Sequence, residues 1–407
     1  MPSLFTWVDI DETSRRKMLD VVQMFRDQDT VDELGLGTIR DAFANYFFPG
    51  TSTIQTRACY FLFIPWIYRR LEIKQTPSSK IASVARESEL DLLDALIEAG
   101  AGENEGVIGI ISGRKLQRLP SNIYWVGLHE WHIRRFPRTQ DQYHRYLDTF
   151  YKKKQTHVLT DDKEPVAGHI EHNWDPHLPQ PPNGFPRGAT MSLRREDAKY
   201  LQDRISAFIG DTLLAAMVNA PQFQDSDYLW DNAVVLTVPE HLQNQVKHSH
   251  KFALSAYGAV LLYNLMLSRA RKNDDWIEDY SEKLKEWVSK INKSWQELSH
   301  WNQQIRQFWN CKAFYQTNIP SSTKNFVEAW NKLILEDSLS DKIADNRDAH
   351  ELIKMREVHL KRQRARLEND RYLEMWNGAS GAAMINYRWY QVKRIVQDIR
   401  HGIARRA

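Results

Sequence analysis

Between residues 276 and 309 the chain carries an apolar stripe of fixed period. Ile277, Leu284, Ile291, Leu298 and Ile305 recur every seven positions, and Tyr280, Trp287, Trp301 and Phe308 fill the companion positions, with Ser294 as the polar exception. A period of seven keeps one face of a helix apolar, whereas a strand needs a period of two. Tryptophan is too bulky for a regular seam between two identical chains. The stripe therefore predicts a long helical hairpin inside the C-terminal half, with its tryptophans in the core.

The rest of the chain reads in the same way. Met18, Val21, Val22 and Phe25 predict a helix over 12–28, and Gly35 and Gly37 break the chain after it. Phe48-Pro49-Gly50 is a turn signal, and Pro65 interrupts an aromatic helix over 51–71. Helices are expected over 88–99, 194–209, 252–267 and 352–376, with a last one opened by Tyr387-Arg388-Trp389-Tyr390. Val107–Ile111 is β-branched and reads as a short strand before a basic helix, an order compatible with a winged-helix-like element in the N-terminal half. Six prolines and three glycines gather in 161–190. The expected fold is mainly α and multi-helical. It has two subdomains, an N-terminal one over 1–160 and a C-terminal one over 191–407, joined by a proline-rich linker at 161–190.

Charge is uneven along a chain whose formal net charge is only +3. Residues 107–160 hold ten Lys/Arg against three acids, and 341–407 hold fifteen against nine. Two basic blocks on an otherwise acidic body fit a polyanion footprint as well as they fit solvated helix faces. Two cysteines, Cys59 and Cys311, cannot build a disulfide framework or a zinc ribbon. The first residues carry no basic leader, and the longest apolar runs fall short of the ~20 residues that span a bilayer. A cytoplasmic protein without membrane contact is expected.

The common phosphate-cradling motifs are absent, so no nucleotide cofactor is expected. His169-x-x-His172-x-x-x-x-His177, with Glu171 and Asp175, has zinc-competent side chains at no standard spacing, and no metal is expected. His129-Glu130-Trp131-His132 lacks the H-E-x-x-H spacing of a metalloprotease.

Two segments are richer. Asp32–Asp41 and Phe48–Arg57 place carboxylates, Arg40, Gln55, Arg57 and hydroxyls beside an aromatic helix that includes Trp66. Leu119–Trp131 interleaves Asn122, Tyr124 and Trp125 with basic residues: Arg114, Lys115 and Arg118 before it, Arg134 and Arg135 after it. Aromatics stack bases, arginines hold phosphates, and Gln55 and Asn122 suit a base edge. Tyr387 and Arg388 extend the set of DNA-binding candidates. The alternative for all of them is a stabilising network of buried charge pairs.

The strings DELGLGTIRDAF, FPGTSTIQTRACYFLFIPWIYRRLE, LQRLPSNIYWVGLHEWHIRR, GAVLLYNLML, RARLENDRYLEMWNGASG and YRWYQVKRI resemble a bacterial family of a domain of unknown function found in phage-defence loci. The resemblance covers roughly residues 4–400. It implies an anti-phage DNA glycosylase that excises a glucosylated hydroxymethylcytosine, acting on phage DNA and, where a locus supplies them, beside other defence proteins. No catalytic residue carries over. Such an enzyme needs no metal, redox or nucleotide cofactor; it needs one carboxylate near the sugar cation, stacking rings and cations for the backbone. On those grounds Asp41 is the first candidate for the carboxylate. It follows Arg40, and adjacent helical side chains point about 100° apart, so the two need not pair. Glu130 is the second, because Arg134 one turn on would pair with it. A non-catalytic DNA- or partner-binding subunit is the alternative reading.

Overall fold

The computed structural model describes residues 32–156, 172–336 and 340–405. The helix expected over 12–28 lies outside them, as does His169. Among the described residues the chain is mainly α, with fifteen α-helices and no strand. In chain order these are α1 (Gly37–Phe47), α2 (Tyr60–Ile73), α3 (Ile81–Glu98), α4 (Pro120–Glu130), α5 (Gln140–Thr156), α6 (Arg195–Phe208), α7 (Leu213–Asn219), α8 (Glu240–Arg271), α9 (Asp274–Lys293), α10 (Trp295–Gln303), α11 (Ile305–Trp309), α12 (Ser321–Leu335), α13 (Arg347–Lys361), α14 (Asp370–Glu374) and α15 (Trp389–Ala404).

The chain divides into two compact units, each assembled from separated stretches: Met1–Phe43 with Asn244–Asn386, and Ala44–Gln243 with Tyr387–Ala407. This division of space does not coincide with the chain-order segments 1–160, 161–190 and 191–407.

In the first unit the heptad stripe does its expected work. Asn273 caps α9 by accepting from the Trp276 amide. Trp287 Nε1 then donates to the Leu254 carbonyl at 2.7 Å, and Trp301 Nε1 to His248 at 3.0 Å, so α8 and the α9–α10 rod run antiparallel. Leu284, Trp287, Ile291, Leu298, Trp301 and Phe308 are all buried. Gly258 makes the approach possible, since a Cβ there would lie 2.1 Å from the Trp287 ring. The rod is interrupted at Ser294 and Gln304.

The helix expected over 352–376 is cut short. The Glu357 carboxylate, fully buried, accepts from the Tyr263 hydroxyl, Lys361, and the Arg366 and Leu367 amides. Drawing those amides onto Glu357 turns the chain at Arg362, whose φ is 51°, and α13 stops. Glu33 is held between Lys361 and Arg366, and Arg356 donates to the Leu34 and Gly35 carbonyls.

In the second unit α2 is buried on nearly all sides and runs through Pro65 without ending. It packs against α3 and α4, while α15 packs on α6 and α7. The strand expected at Val107–Ile111 is a run of turns, and no wing exists among the described residues. Gly106 and Gly109, at φ of 80° and 91°, curl the segment so that the Ile108 amide reaches the Tyr60 hydroxyl.

Candidate functional site

The Pro49-Gly50 turn fixes α4. Gly127 lies so close that a Cβ would meet the Gly50 carbonyl at 2.2 Å, and Trp131 donates to the Pro49 carbonyl while stacking on Phe61 at 3.8 Å. This docking turns one face of α4 inward. Tyr124, fully buried, accepts from the Thr56 and Arg57 amides and donates to the Arg57 carbonyl. Trp125 donates to the Arg138 carbonyl, and Trp66 to that of Pro179. Gln55 accepts from the Ser52 amide and donates to the Gly50 carbonyl, closing its own turn.

Arg57 donates from Nε to both oxygens of Asp398, and from its two terminal nitrogens to the carbonyls of Glu105 and Met191. Burial alone would lower its pKa; the Asp398 carboxylate outweighs that and raises it. Arg134 does not pair with Glu130. It is 3% exposed, stacks 4.6 Å from the Trp125 ring and donates to the carbonyls of Trp125, Phe136 and Arg138. With carbonyls for partners and no carboxylate, burial pushes its pKa down to about 10. These six side chains, expected to meet DNA, are committed to packing.

The C-terminal end of α4 faces outward. Glu130, His132 and Arg135 are exposed there. His132 has a left-handed backbone, φ 54°, uncommon for a residue with a side chain. Its ring stacks on Phe208 at 4.0 Å with 17° between planes, and the Arg204 guanidinium lies 4.2 Å from the other ring. His129 continues the ladder at 6.1 Å and donates from Nδ1 to the Arg134 carbonyl. Beneath the ladder Asp175, fully buried, accepts from the Tyr200 hydroxyl at 3.0 Å and pairs with Arg135 and Arg204, each at 3.2 Å. Arg204 also donates to the His132 carbonyl at 2.8 Å. Two arginines around one carboxylate leave the face basic. Desolvation, then His129 and Arg204, lower the His132 pKa.

Asp41 does pair with Arg40, at 3.0 Å, its side chain 45% exposed. Asp41 belongs to the first unit, and Gln55, Arg57 and Glu130 belong to the second. Arg114 is ringed by Glu87, Asp91 and Asp94, whereas Lys115 and Arg118 are exposed. Asn122 caps α4 and donates to Gln140. Tyr387 is buried, and Arg388 donates to Asn45 and to the Thr51 carbonyl, both at 2.7 Å. His172 and His177 lie on the segment that an isolated bridge between Arg134 and Trp174 holds against α4's end; no group of three metal-competent side chains forms among the described residues. No helix there is long and apolar enough to cross a membrane.

A family model described as Family of unknown function (DUF6361) matches residues 2–402. The chain belongs to that family. No curated protein and no solved structure matches it. In this family member the ladder residues Arg204 and Phe208 escape a sequence reading. They sit on α6, some seventy positions from His132, and only the fold brings them together. Locally Phe208 reads as core, since it lies three and seven positions after the buried Ile205 and Leu201 on α6.

Proposed function

We propose that this protein acts on DNA and, as the resemblance of its long strings implies, that it is an anti-phage N-glycosyl hydrolase releasing a glucosylated cytosine. The observation that carries the DNA half is the exposed His132–Phe208 ring stack, backed by the largely buried Arg204, with the exposed Arg135 and Glu130 at the same end of α4. A ring stack backed by guanidinium groups suits bases and phosphates together. For the hydrolytic half, Asp41 held by Arg40 and the exposed Glu130 are the carboxylates to test. The purified chain is incubated with DNA carrying glucosylated hydroxymethylcytosine and with unmodified DNA, then treated with alkali. Breaks confined to the modified DNA are expected, and fewer in Asp41→Asn or Glu130→Gln; no breaks in either DNA rejects the hydrolase. Loss of both ladder rings, His132→Ala with Phe208→Ala, weakens single-strand binding about tenfold, since each stacked base is worth roughly 1–3 kcal/mol.

The second reading is a DNA-binding subunit without catalysis. It is favoured by the packing of Gln55, Tyr124 and Trp125, which removes the groups expected to hold an extruded base. DNA binding without base release identifies it.

A further inference from the structure

The first unit contains an open cavity of about 440 Å³ between the C-terminal half of α8 and the first turns of α13. That is within the roughly 300–1,000 Å³ range of small-ligand sites. Met266 and Leu367 give it an apolar floor, and Arg269, Arg347, His350, Glu351 and Lys354 line the remainder. Three cations face one carboxylate.

Two of the cations are already placed. Arg269 donates to the Ala344 carbonyl at 2.8 Å and pairs with Asp345 at 3.0 Å, and Lys354 pairs with Glu368 at 3.1 Å. Neither carboxylate lines the cavity, and both are largely in solvent, at 80% and 52% side-chain exposure. Exposed pairs of that kind are weak, so they orient the cations without neutralising them for a ligand. His350 sits against the Ala344 carbonyl at 2.9 Å; a carbonyl only accepts, so Nε2 carries the hydrogen and the ring is held in place at the cavity wall. Arg347, exposed, forms no ion pair among the described residues, and it opens α13, whose N-terminal dipole adds positive potential.

We propose that this cavity binds the phosphate of a nucleotide, with Arg347 and Lys354 on the phosphate and the base or sugar against Met266 and Leu367. The cavity is separate from the ladder and does not depend on the DNA reading. The same phosphate chemistry is offered by a free mononucleotide and by a phosphorylated strand end. The full-length protein is titrated calorimetrically with deoxycytidine 5′-monophosphate, with deoxycytidine, and with a thymidine tetranucleotide with and without a 5′-phosphate. The monophosphate binds and deoxycytidine binds at least tenfold more weakly. Arg347→Ala weakens the monophosphate at least tenfold and Lys354→Ala by three- to tenfold, with melting temperatures unchanged because both side chains are solvent-facing. Preference for the phosphorylated tetranucleotide assigns the site to strand ends; preference for the monophosphate assigns it to free nucleotide. Equal binding of deoxycytidine and its monophosphate overturns the proposal, as does a monophosphate affinity that Arg347→Ala leaves intact. Loss of both ladder rings leaves this binding unchanged, so the two sites fail separately.

Discussion

At the residue scale, an arginine's sequence neighbours do not reveal which way it points. Arg134 and Arg135 are adjacent and look alike in the sequence, yet one is buried on three carbonyls and the other is exposed over Asp175. The docking of α4 on Gly50 decides between them, and no local pattern encodes it. Arg134→Ala leaves buried carbonyls without donors and is expected to cost on the order of 2–4 kcal/mol, read as a clear drop in melting temperature; an unshifted melt would contradict the packing role. Glu89 is a second case. It is 2% exposed, accepts from the Ser121 amide and hydroxyl at 2.8 and 2.7 Å, and forms no ion pair among the described residues, Arg86 offsetting only part of its burial. Burial pushes its carboxyl up to about 7 from the ordinary 4.5. The folded state therefore binds a proton that the unfolded state has released between those values. This stabilisation is complete below about 4.5 and is lost as pH rises through 7, a change on the order of 3 kcal/mol. Denaturant curves of Glu89→Gln should lack that slope, so the variant gains on the wild type toward pH 8. Parallel profiles for the two proteins would refute the assignment.

At the element scale, helix existence was legible and helix endings were not. Periodicity located the hairpin because it records which face is buried, and the buried residues of α9–α11 are those of the stripe. Endings depend on partners far along the chain. α13 ends where Glu357 captures the Arg366 and Leu367 amides, a competition invisible in a window of ten residues. Val107–Ile111 has the composition of a strand, but its glycines and the lack of a pairing edge make it a turn. The hairpin's closest point is testable. Gly258→Ala places a methyl inside the Trp287 ring's volume, and both sit in a packed core. A loss of about 1–3 kcal/mol is expected by chemical denaturation, and a variant as stable as the parent would mean that the two helices lie farther apart.

At the scale of the whole molecule, the apolar periodicity announced a mainly α chain, but the grouping of its helices into units could not be read in chain order. The second unit needs α15, whose Asp398 holds Arg57 and whose Gly402 lies against Ala198 on α6. A fragment of residues 44–243 is expected to stay unfolded by circular dichroism until a peptide of residues 387–407 is supplied; cooperative melting of the fragment alone would show that the closing helix is dispensable. On the ribosome, residues 44–243 emerge long before α15, and all of Asn244–Asn386 is translated in between. At about 5–20 residues per second the unfinished unit waits on the order of ten seconds with the core that α15 covers still open. An interrupted message then yields a chain whose ladder-bearing unit is never closed, so any activity built on that unit is confined to copies translated past α15.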